Sequence, residues 1–224
     1  MARLRCAILI TERSDAARML FQGPELVHCI LLRQPPRVTE VGPSGDIEMT
    51  RHLTTDELQS GLPVIQSSPS DDGKLMAIVV RPDNGQRASK TECGMDPDTG
   101  VAGDSWASRE SPNTEAQVTL MNWRAAELVA ADSDRWMLAG DQLYVDFDLS
   151  NDNLPPGTHV QIGTAVLRIS LLPHNGCKKF AERFGRDAMQ FVNSPIGKQL
   201  HLRGVNASIV EAGTVRVDDT VSKR

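Results

Sequence analysis

The spacing of apolar and polar positions along the chain predicts many short β-strands and few helices. Apolar or alternating stretches mark seven strands, at residues 75–81, 117–121, 142–149, 159–162, 165–172, 205–210 and 214–221. The fourth and fifth are predicted to pair around Gly163-Thr164, and the last two across residues 211–213. Residues 91–113 are rich in Gly, Asp, Ser and Pro, which predicts a loop. Together these patterns indicate a mostly β fold, a β-barrel core with helical decoration.

Helix starts are marked by capping residues. Thr54, with Glu57 three residues later, forms a capping-box pattern, and Asn122 precedes a predicted helix at 123–131. Two short helices are predicted at 178–184 and 187–192, broken at Gly185. Ser194-Pro195 is typical of the start of a third.

The first 48 residues differ from the rest, because Pro and Gly at 33–36 and 41–45 break any periodicity. We expect 1–48 to be a disordered or extension segment, with the natural protein beginning at Met49; a poorly ordered native arm is the alternative. Residues 49–73 are expected to form an N-terminal helix and linker. The main domain is expected at 74–223.

Composition narrows the class of protein. A net charge of −5 and few aromatic residues argue against nucleic-acid binding. No apolar run approaches the roughly 20 residues that a membrane span needs. The four cysteines, none in a zinc-type spacing, indicate a reducing compartment, so we expect a cytoplasmic protein without a nucleic-acid or membrane partner.

Positive charge is concentrated in one segment. Between residues 168 and 204 only two acids, Glu182 and Asp187, accompany seven basic residues: Arg168, Lys178, Lys179, Arg183, Arg186, Lys198 and Arg203. A basic cluster in an acidic protein suggests a site for a small anion such as phosphate. A solvated helix face is the alternative interpretation.

One cysteine stands out within that segment. Cys177 follows an apolar run, which predicts that a strand delivers the thiol, and Lys178 and Lys179 come directly after it. Cations favour the thiolate, the reactive form of cysteine. This pattern suits a thiolate that holds sulfur or binds a soft metal; a small buried apolar residue is the alternative.

Five segments follow one another at a specific spacing: GVAGDSW at 100–106, QVTLMN at 117–122, AGDQL at 139–143, PHNGC at 173–177 and GTVRVDD at 213–219. The first resembles the G-x-x-G-D-[RS]-[HW] element of MOSC domains, the C-terminal domains of molybdenum cofactor sulfurases, and the second is similar to the strand that follows it. The third lies where the family carries G-E-N-[LI], with an acid at Asp141 and a departure at Gln142. The fourth resembles the cysteine element, and the fifth the closing hairpin, with Asp218 where Gly is common. The resemblance covers about residues 74–223 and is strongest to short, stand-alone bacterial members.

The resemblance implies a fold, a cofactor and roles for named residues. It implies a MOSC-type β-barrel related to the pyruvate kinase barrel domain, and molybdenum cofactor (molybdopterin), a pterin with a phosphate. Cys177 matches the family's cysteine, which is proposed to ligate molybdenum or carry sulfur. Asp104 and His174 are candidates for orienting the site or for proton transfer, with turn formation and packing as alternatives. The candidate phosphate donors are Lys178, Lys179, Arg186 and Arg203. Pyridoxal phosphate is not expected, because the chain shows no aminotransferase-like pattern.

Three functions are compatible with this resemblance. The protein could reduce N-hydroxylated compounds with Cys177 as molybdenum ligand and a separate electron-donor protein, because the sequence has no flavin, NAD or iron–sulfur motif. It could instead be a non-catalytic module that holds a persulfide on Cys177, supplied by a sulfur-donor protein, or that delivers the cofactor. A barrel that has lost cofactor binding is the third.

Overall fold

The computed structural model describes residues 51–83, 85–131 and 135–224, so the predicted extension at 1–48 lies outside the described residues. The strands are β1 Gly73–Val80, β2 Ala88–Lys90, β3 Glu92–Asp96, β4 Gly100–Val101, β5 Val118–Asn122, β6 Leu143–Asp146, β7 His159–Ile162, β8 Ala165–Ile169, β9 Val205–Glu211, β10 Gly213–Arg216 and β11 Thr220–Lys223. The α-helices are α1 Thr55–Ser60, α2 Leu62–Gln66, α3 Trp123–Ala130, α4 Lys178–Phe184, α5 Arg186–Asn193 and α6 Pro195–Gln199. Each described helix falls short of the length and apolar character that a membrane crossing requires.

Seven strands close into a barrel. Their order is β11-β7-β8-β9-β5-β6-β1, and β1 pairs back to β11 through Gly73 and Val221. The β5–β6 pair is parallel, whereas the other pairs of the ring are antiparallel. β2 continues the sheet beyond β1, and β10, β3 and β4 form a second, smaller sheet. The predicted fold class, a mostly β barrel with helical decoration, is confirmed.

Several strands are buried on both faces, which explains their uninterrupted apolar sequences. Leu120 and Val145 point into the barrel core, whereas Met121 and Tyr144 pack on the outside against helical residues such as Phe184. All five residues of β5 are buried. A strand covered on both sides has no polar face, so alternation disappears from its sequence.

Two expectations, one about a predicted loop and one about strand pairing, are wrong. Residues 91–113 are not a plain loop, because Cys93 and Met95 alternate into the barrel core and form β3. The expected pairing across residues 211–213 does not form either, since β9 pairs with β5 and β8 whereas β10 pairs with β3. Gly213 allows this change of partner, because a Cβ there would lie 2.4 Å from the carbonyl carbon of Thr164. The backbone therefore passes directly against the β7–β8 turn.

The predicted helix caps are confirmed. The Thr54 hydroxyl accepts from Glu57 N (3.4 Å), while Thr54 N donates to the Glu57 carboxylate (2.9 Å). The Asn122 side chain accepts from the backbone N–H of Ala125 at 3.0 Å. The Ser194 hydroxyl likewise caps α6, and the break between α4 and α5 falls at Gly185, whose φ is 92°. These contacts are local, so the sequence was sufficient to predict them.

Candidate functional site

The thiol of Cys177 is delivered by a loop, so the expectation of a strand up to residue 172 is wrong. β8 ends at Ile169, because the hydroxyl of Ser170 accepts a hydrogen bond from Leu172 N (3.0 Å) and turns the chain. Residues 170–177 then have no regular secondary structure before α4 begins. Cys177 is the N-cap residue of α4, and it is exposed without a side-chain capping bond. The thiol is therefore accessible to a ligand or a partner.

The end of this loop is tied to α5 by two reciprocal hydrogen bonds. Gly176 N donates to Asn193 Oδ1, and Asn193 Nδ2 donates to Gly176 O, both at 2.9 Å. A Cβ at Gly176 would lie 2.9 Å from the side chain of Val192, so the close approach depends on glycine. Asn193 thus fixes the residue directly before Cys177.

Replacing Asn193 by Ala is expected to lower the free energy of unfolding by about 1–3 kcal/mol, because two hydrogen-bonding groups of Gly176 lose their partner. Chemical denaturation measures this change. Asn151→Ala is the matched control, since Asn151 makes one exposed hydrogen bond to Lys198 O. Equal losses in the two variants would show that Asn193 does not hold the loop.

Helix α4 packs beside residues 136–141, a segment that consists of a 3₁₀ helix at Trp136–Ala139 and the two residues after it. Arg183 Nη1 donates to Leu138 O at 2.8 Å, and the guanidinium of Arg203 lies 5.1 Å from the centre of the Phe180 ring. Phe180 is buried, whereas Cys177 is the exposed N-cap residue of the same helix and has an extended backbone conformation. The first turn of α4 therefore packs against Arg203 through Phe180.

Asp141, Arg203 and His174 form a buried polar group beside this helix. Asp141 is fully buried, and its Oδ2 lies 2.6 Å from Arg203 Nη1, while Arg203 Nη2 donates to Ala139 O at 2.9 Å. His174 Nδ1 lies 3.5 Å from Asp141 Oδ1, which is too long for a good hydrogen bond. Both of those atoms, and Arg203 Nε, are buried without a hydrogen-bond partner among the described residues. His174 is three residues before Cys177, so their Cα atoms are at most ~11 Å apart.

His174 is neutral at physiological pH. Burial lowers its pKa to about 4, with Asp141 acting in the opposite direction and the positive charges of Arg203 and Arg81 adding to the decrease. A neutral imidazole has one nitrogen that donates and one that accepts. At pH 7 His174 can therefore donate one hydrogen bond and accept another beside the thiol loop, but it does not form an ion pair with Asp141.

The titration of His174 makes stability depend on pH. Its pKa is about 4 in the folded protein, against 6.5 for an ordinary histidine, so between these values the unfolded chain binds more protons. The stabilisation is complete above about pH 6.5 and is lost as the pH falls towards 4, by about 3 kcal/mol in total. We expect His174→Gln to remove this part of the pH dependence in denaturation curves. Replacing the exposed His159 by Gln should leave it unchanged, and a wild-type pH profile in His174→Gln would contradict this role.

Asp104 is connected to the segment at residues 136–141 through Arg81. Its buried carboxylate accepts from Arg81 Nε at 3.0 Å and Nη2 at 3.3 Å, and it also caps the 3₁₀ turn at Ser105–Ser108. Arg81 Nη1 donates in turn to Gly140 O at 3.1 Å. Asp104 is thus both a turn residue and the anchor of an arginine at the site, and its contacts with Arg81 and Trp106 N are structural.

Hydrogen bonds explain why Gln142 departs from the G-E-N-[LI] element that the segment at 139–143 resembles. Its buried side chain accepts hydrogen bonds from Thr119 N (2.9 Å) and from the Thr119 hydroxyl (2.6 Å). Through these hydrogen bonds Gln142, which directly follows the segment at residues 136–141, connects that segment to β5.

Of the predicted phosphate donors, the structure places Arg203 in the buried polar group. Lys178, Lys179 and Arg186 are exposed, and the Lys178 ammonium lies 3.9 Å from Glu182. Four arginines instead surround residues 138–140, a set that we call the arginine cluster: Arg81, Arg87, Arg183 and Arg203. The sequence indicated Arg183 as a member of the basic segment but predicted no role for it. It did not indicate Arg81 or Arg87 as site residues. The one signal in the sequence was their position on either side of the Pro-Asp-Asn-Gly sequence at 82–85, which is typical of a turn.

A cleft of about 400 Å³ opens beside the buried polar group. His174 and Arg203 form part of its wall, with Lys198 and His201 contributed by the α6 region and Leu172 by the thiol loop. The cleft combines apolar and cationic surface, which suits an anionic organic ligand.

The comparison with known proteins identifies the family. A family model described as the MOSC domain matches residues 114–222. Residues 114–222 therefore form a MOSC domain, as the motifs predicted. No curated protein matches the sequence significantly.

Solved structures with a related fold come from several bacteria. YuaD from Bacillus subtilis is 14% identical, with 66% of this chain and 93% of that chain covered and a TM-score of 0.47. YiiM from Escherichia coli is 17% identical over 67% and 69% of the two chains (TM-score 0.46). YiiM from Geobacillus stearothermophilus is 13% identical over 68% and 75% (TM-score 0.48).

Proposed function

We propose that this MOSC protein binds the molybdenum cofactor, with Cys177 as the protein's ligand to molybdenum. The observation that carries the proposal is the exposed thiol at the start of α4, on a helix that docks beside the buried Asp141–Arg203–His174 group. Thiolates are preferred ligands of soft metal centres. The family is associated with this cofactor in general, which supports the assignment.

The residues at the site fit such a group. Asp141 Oδ1, His174 Nδ1 and Arg203 Nε are all buried without a partner in the described structure. Native proteins rarely leave buried polar atoms unsatisfied, so these atoms indicate a place for polar groups of a ligand. Arg203, which was predicted from the sequence as a phosphate donor, would hold an anionic part of the cofactor.

The reaction that this arrangement supports is the reduction of N-hydroxylated compounds. The substrate takes up two electrons and two protons, the N–O bond breaks, and the amine or amidine and one water leave. The bound cofactor would supply the two-electron chemistry, and a separate donor protein in the cytoplasm would supply the electrons. The neutral His174 can donate a hydrogen bond to the bound substrate, or accept one from it, at a ring nitrogen, and its Nδ1 lies 3.5 Å from Asp141 Oδ1.

A sulfur-carrier role is the second candidate, and the accessibility of the thiol favours it. Cys177 is exposed and makes no side-chain capping bond. A donor protein that itself carries a persulfide could reach it: the Cys177 sulfur would attack the outer sulfur of that persulfide, and the donor's thiol would leave.

Enzymatic turnover distinguishes the reductase from the sulfur carrier. Protein made in cells with intact cofactor synthesis, supplied with a chemically reduced viologen, is expected to reduce an N-hydroxylated amidine. Molybdenum-loaded protein without turnover would overturn the reductase. A persulfide on Cys177 in the same protein, detected by mass spectrometry, would then establish the carrier.

A further inference from the structure

The arginine cluster carries more positive charge than its carboxylates neutralise. Arg81 is paired with Asp104, and Arg203 with Asp141. Within residues 51–83, 85–131 and 135–224, no carboxylate lies within ion-pair distance of Arg87 or Arg183. Counted over those described ranges, the cluster therefore has four guanidinium groups and two carboxylates, an excess of two positive charges.

Arg87 and Arg183 converge on one point above Gly140. The position that a Cβ of Gly140 would occupy is 3.2 Å from Arg87 Nη2 and 3.8 Å from Arg183 Nη1. Gly140 has a φ of 91° and no side chain, so both guanidinium groups can approach its backbone closely. Arg87 Nε is buried without a partner in the described structure.

The proximity of the Arg87 and Arg183 guanidinium groups is energetically unfavourable when no anion is bound. Burial lowers the pKa of Arg87, and the positive charge of Arg183 lowers it further. The other cations of the cluster already donate to backbone carbonyls: Arg81 to Gly140 O, Arg183 to Leu138 O and Arg203 to Ala139 O. Arg87 Nη1 also donates to a backbone carbonyl, Gly85 O at 2.8 Å, which leaves the buried Nε of Arg87 without a partner in the described structure.

We infer that Arg87 and Arg183 form an anion site above Gly140 that binds the dianionic phosphate of a phosphate monoester. Two guanidinium groups present planar forks of N–H donors that match phosphate oxygens, and a dianion balances the excess charge. The inference goes beyond the proposed function, because it requires neither molybdenum nor Cys177. The phosphate can come from the pterin cofactor or from a separate phosphorylated molecule.

Calorimetric titration of cofactor-free protein with inorganic phosphate, at constant ionic strength against chloride, tests this site. We expect one saturable site in the wild type and an affinity at least about tenfold weaker in Arg87→Gln and in Arg183→Gln. Arg216→Gln, at an exposed arginine of β10 that pairs with Glu92, is the matched control and should bind as the wild type does. Arg87→Lys and Arg183→Lys, which keep the charge but lose the fork, should give intermediate affinities, and thermal melting confirms that each variant is folded. Absence of binding in folded wild type, or equal affinity in the wild type and both Gln variants, would overturn the inference.

The same titration with cofactor-loaded protein shows which molecule supplies the phosphate. If loading abolishes the binding of free phosphate, the cofactor's own phosphate occupies the site. If loaded protein binds phosphate as cofactor-free protein does, the site takes a separate phosphorylated molecule. Cofactor-free Cys177→Ala should bind phosphate like the wild type, so failure of the molybdenum proposal and failure of the anion site remain separable.

Discussion

Replacing Asp141 by Ala is expected to lower the free energy of unfolding by about 3–5 kcal/mol. Asp141 is fully buried, and it is the carboxylate that neutralises Arg203, whose side chain is only 9% exposed. Removing one partner of a buried pair leaves an uncompensated charge, which costs far more than the pair contributes. Urea denaturation at pH 7 measures the loss.

An exposed ion pair gives the matched control for Asp141. Glu211 lies 2.7 Å from Arg224, with both side chains about half exposed, so Glu211→Ala should cost at most about 1 kcal/mol. Adding Arg203→Met to Asp141→Ala should restore part of the lost stability, because the unpaired charge is then removed as well. A cost for Asp141→Ala no greater than that for Glu211→Ala would show that the buried pair does not hold the site together.

Replacing Cys177 by Ala is expected to abolish donor-dependent turnover while changing the free energy of unfolding by less than about 0.5 kcal/mol. The side chain is exposed, so its removal leaves no cavity, whereas the proposed function depends on its sulfur. Turnover with reduced viologen and denaturation curves on the same preparation measure both quantities.

The second described cysteine provides a control with the opposite pattern. Cys93 is 5% exposed and belongs to the barrel core, and burial raises the pKa of its thiol. Cys93→Ala should therefore lose roughly 1–2 kcal/mol of stability and keep full turnover. If Cys177→Ala instead unfolds the protein, the thiol has a packing role and the proposed function loses its main support.

Much of the fold could be predicted because its signals are local. The caps at Thr54, Asn122 and Ser194 each depend on contacts within three residues, and the break at Gly185 depends on one backbone conformation. The barrel class followed from the number of short strands and from the family motifs. Strand partners were harder, since the sequence of β10 does not show that it pairs with β3 rather than with its neighbour β9.

The candidate site was only partly predictable, because long-range ion pairs build it. Arg203 and Asp141 are 62 positions apart, and Arg81 and Asp104 are 23 apart. Nothing in the local sequence of Arg87 shows that the barrel brings it over Gly140. By contrast, Cys177 and His174 could be found because they lie within one short motif.

The most direct test of the proposed function is the molybdenum and pterin content of wild type and Cys177→Ala, purified side by side from cells with intact cofactor synthesis. Elemental analysis and pterin fluorescence after oxidative release measure the two components. We expect near-stoichiometric metal and pterin in the wild type, and loss of the metal in Cys177→Ala with the fold retained. Absence of metal from both proteins, or equal metal in both, would contradict the assignment of Cys177 as the molybdenum ligand.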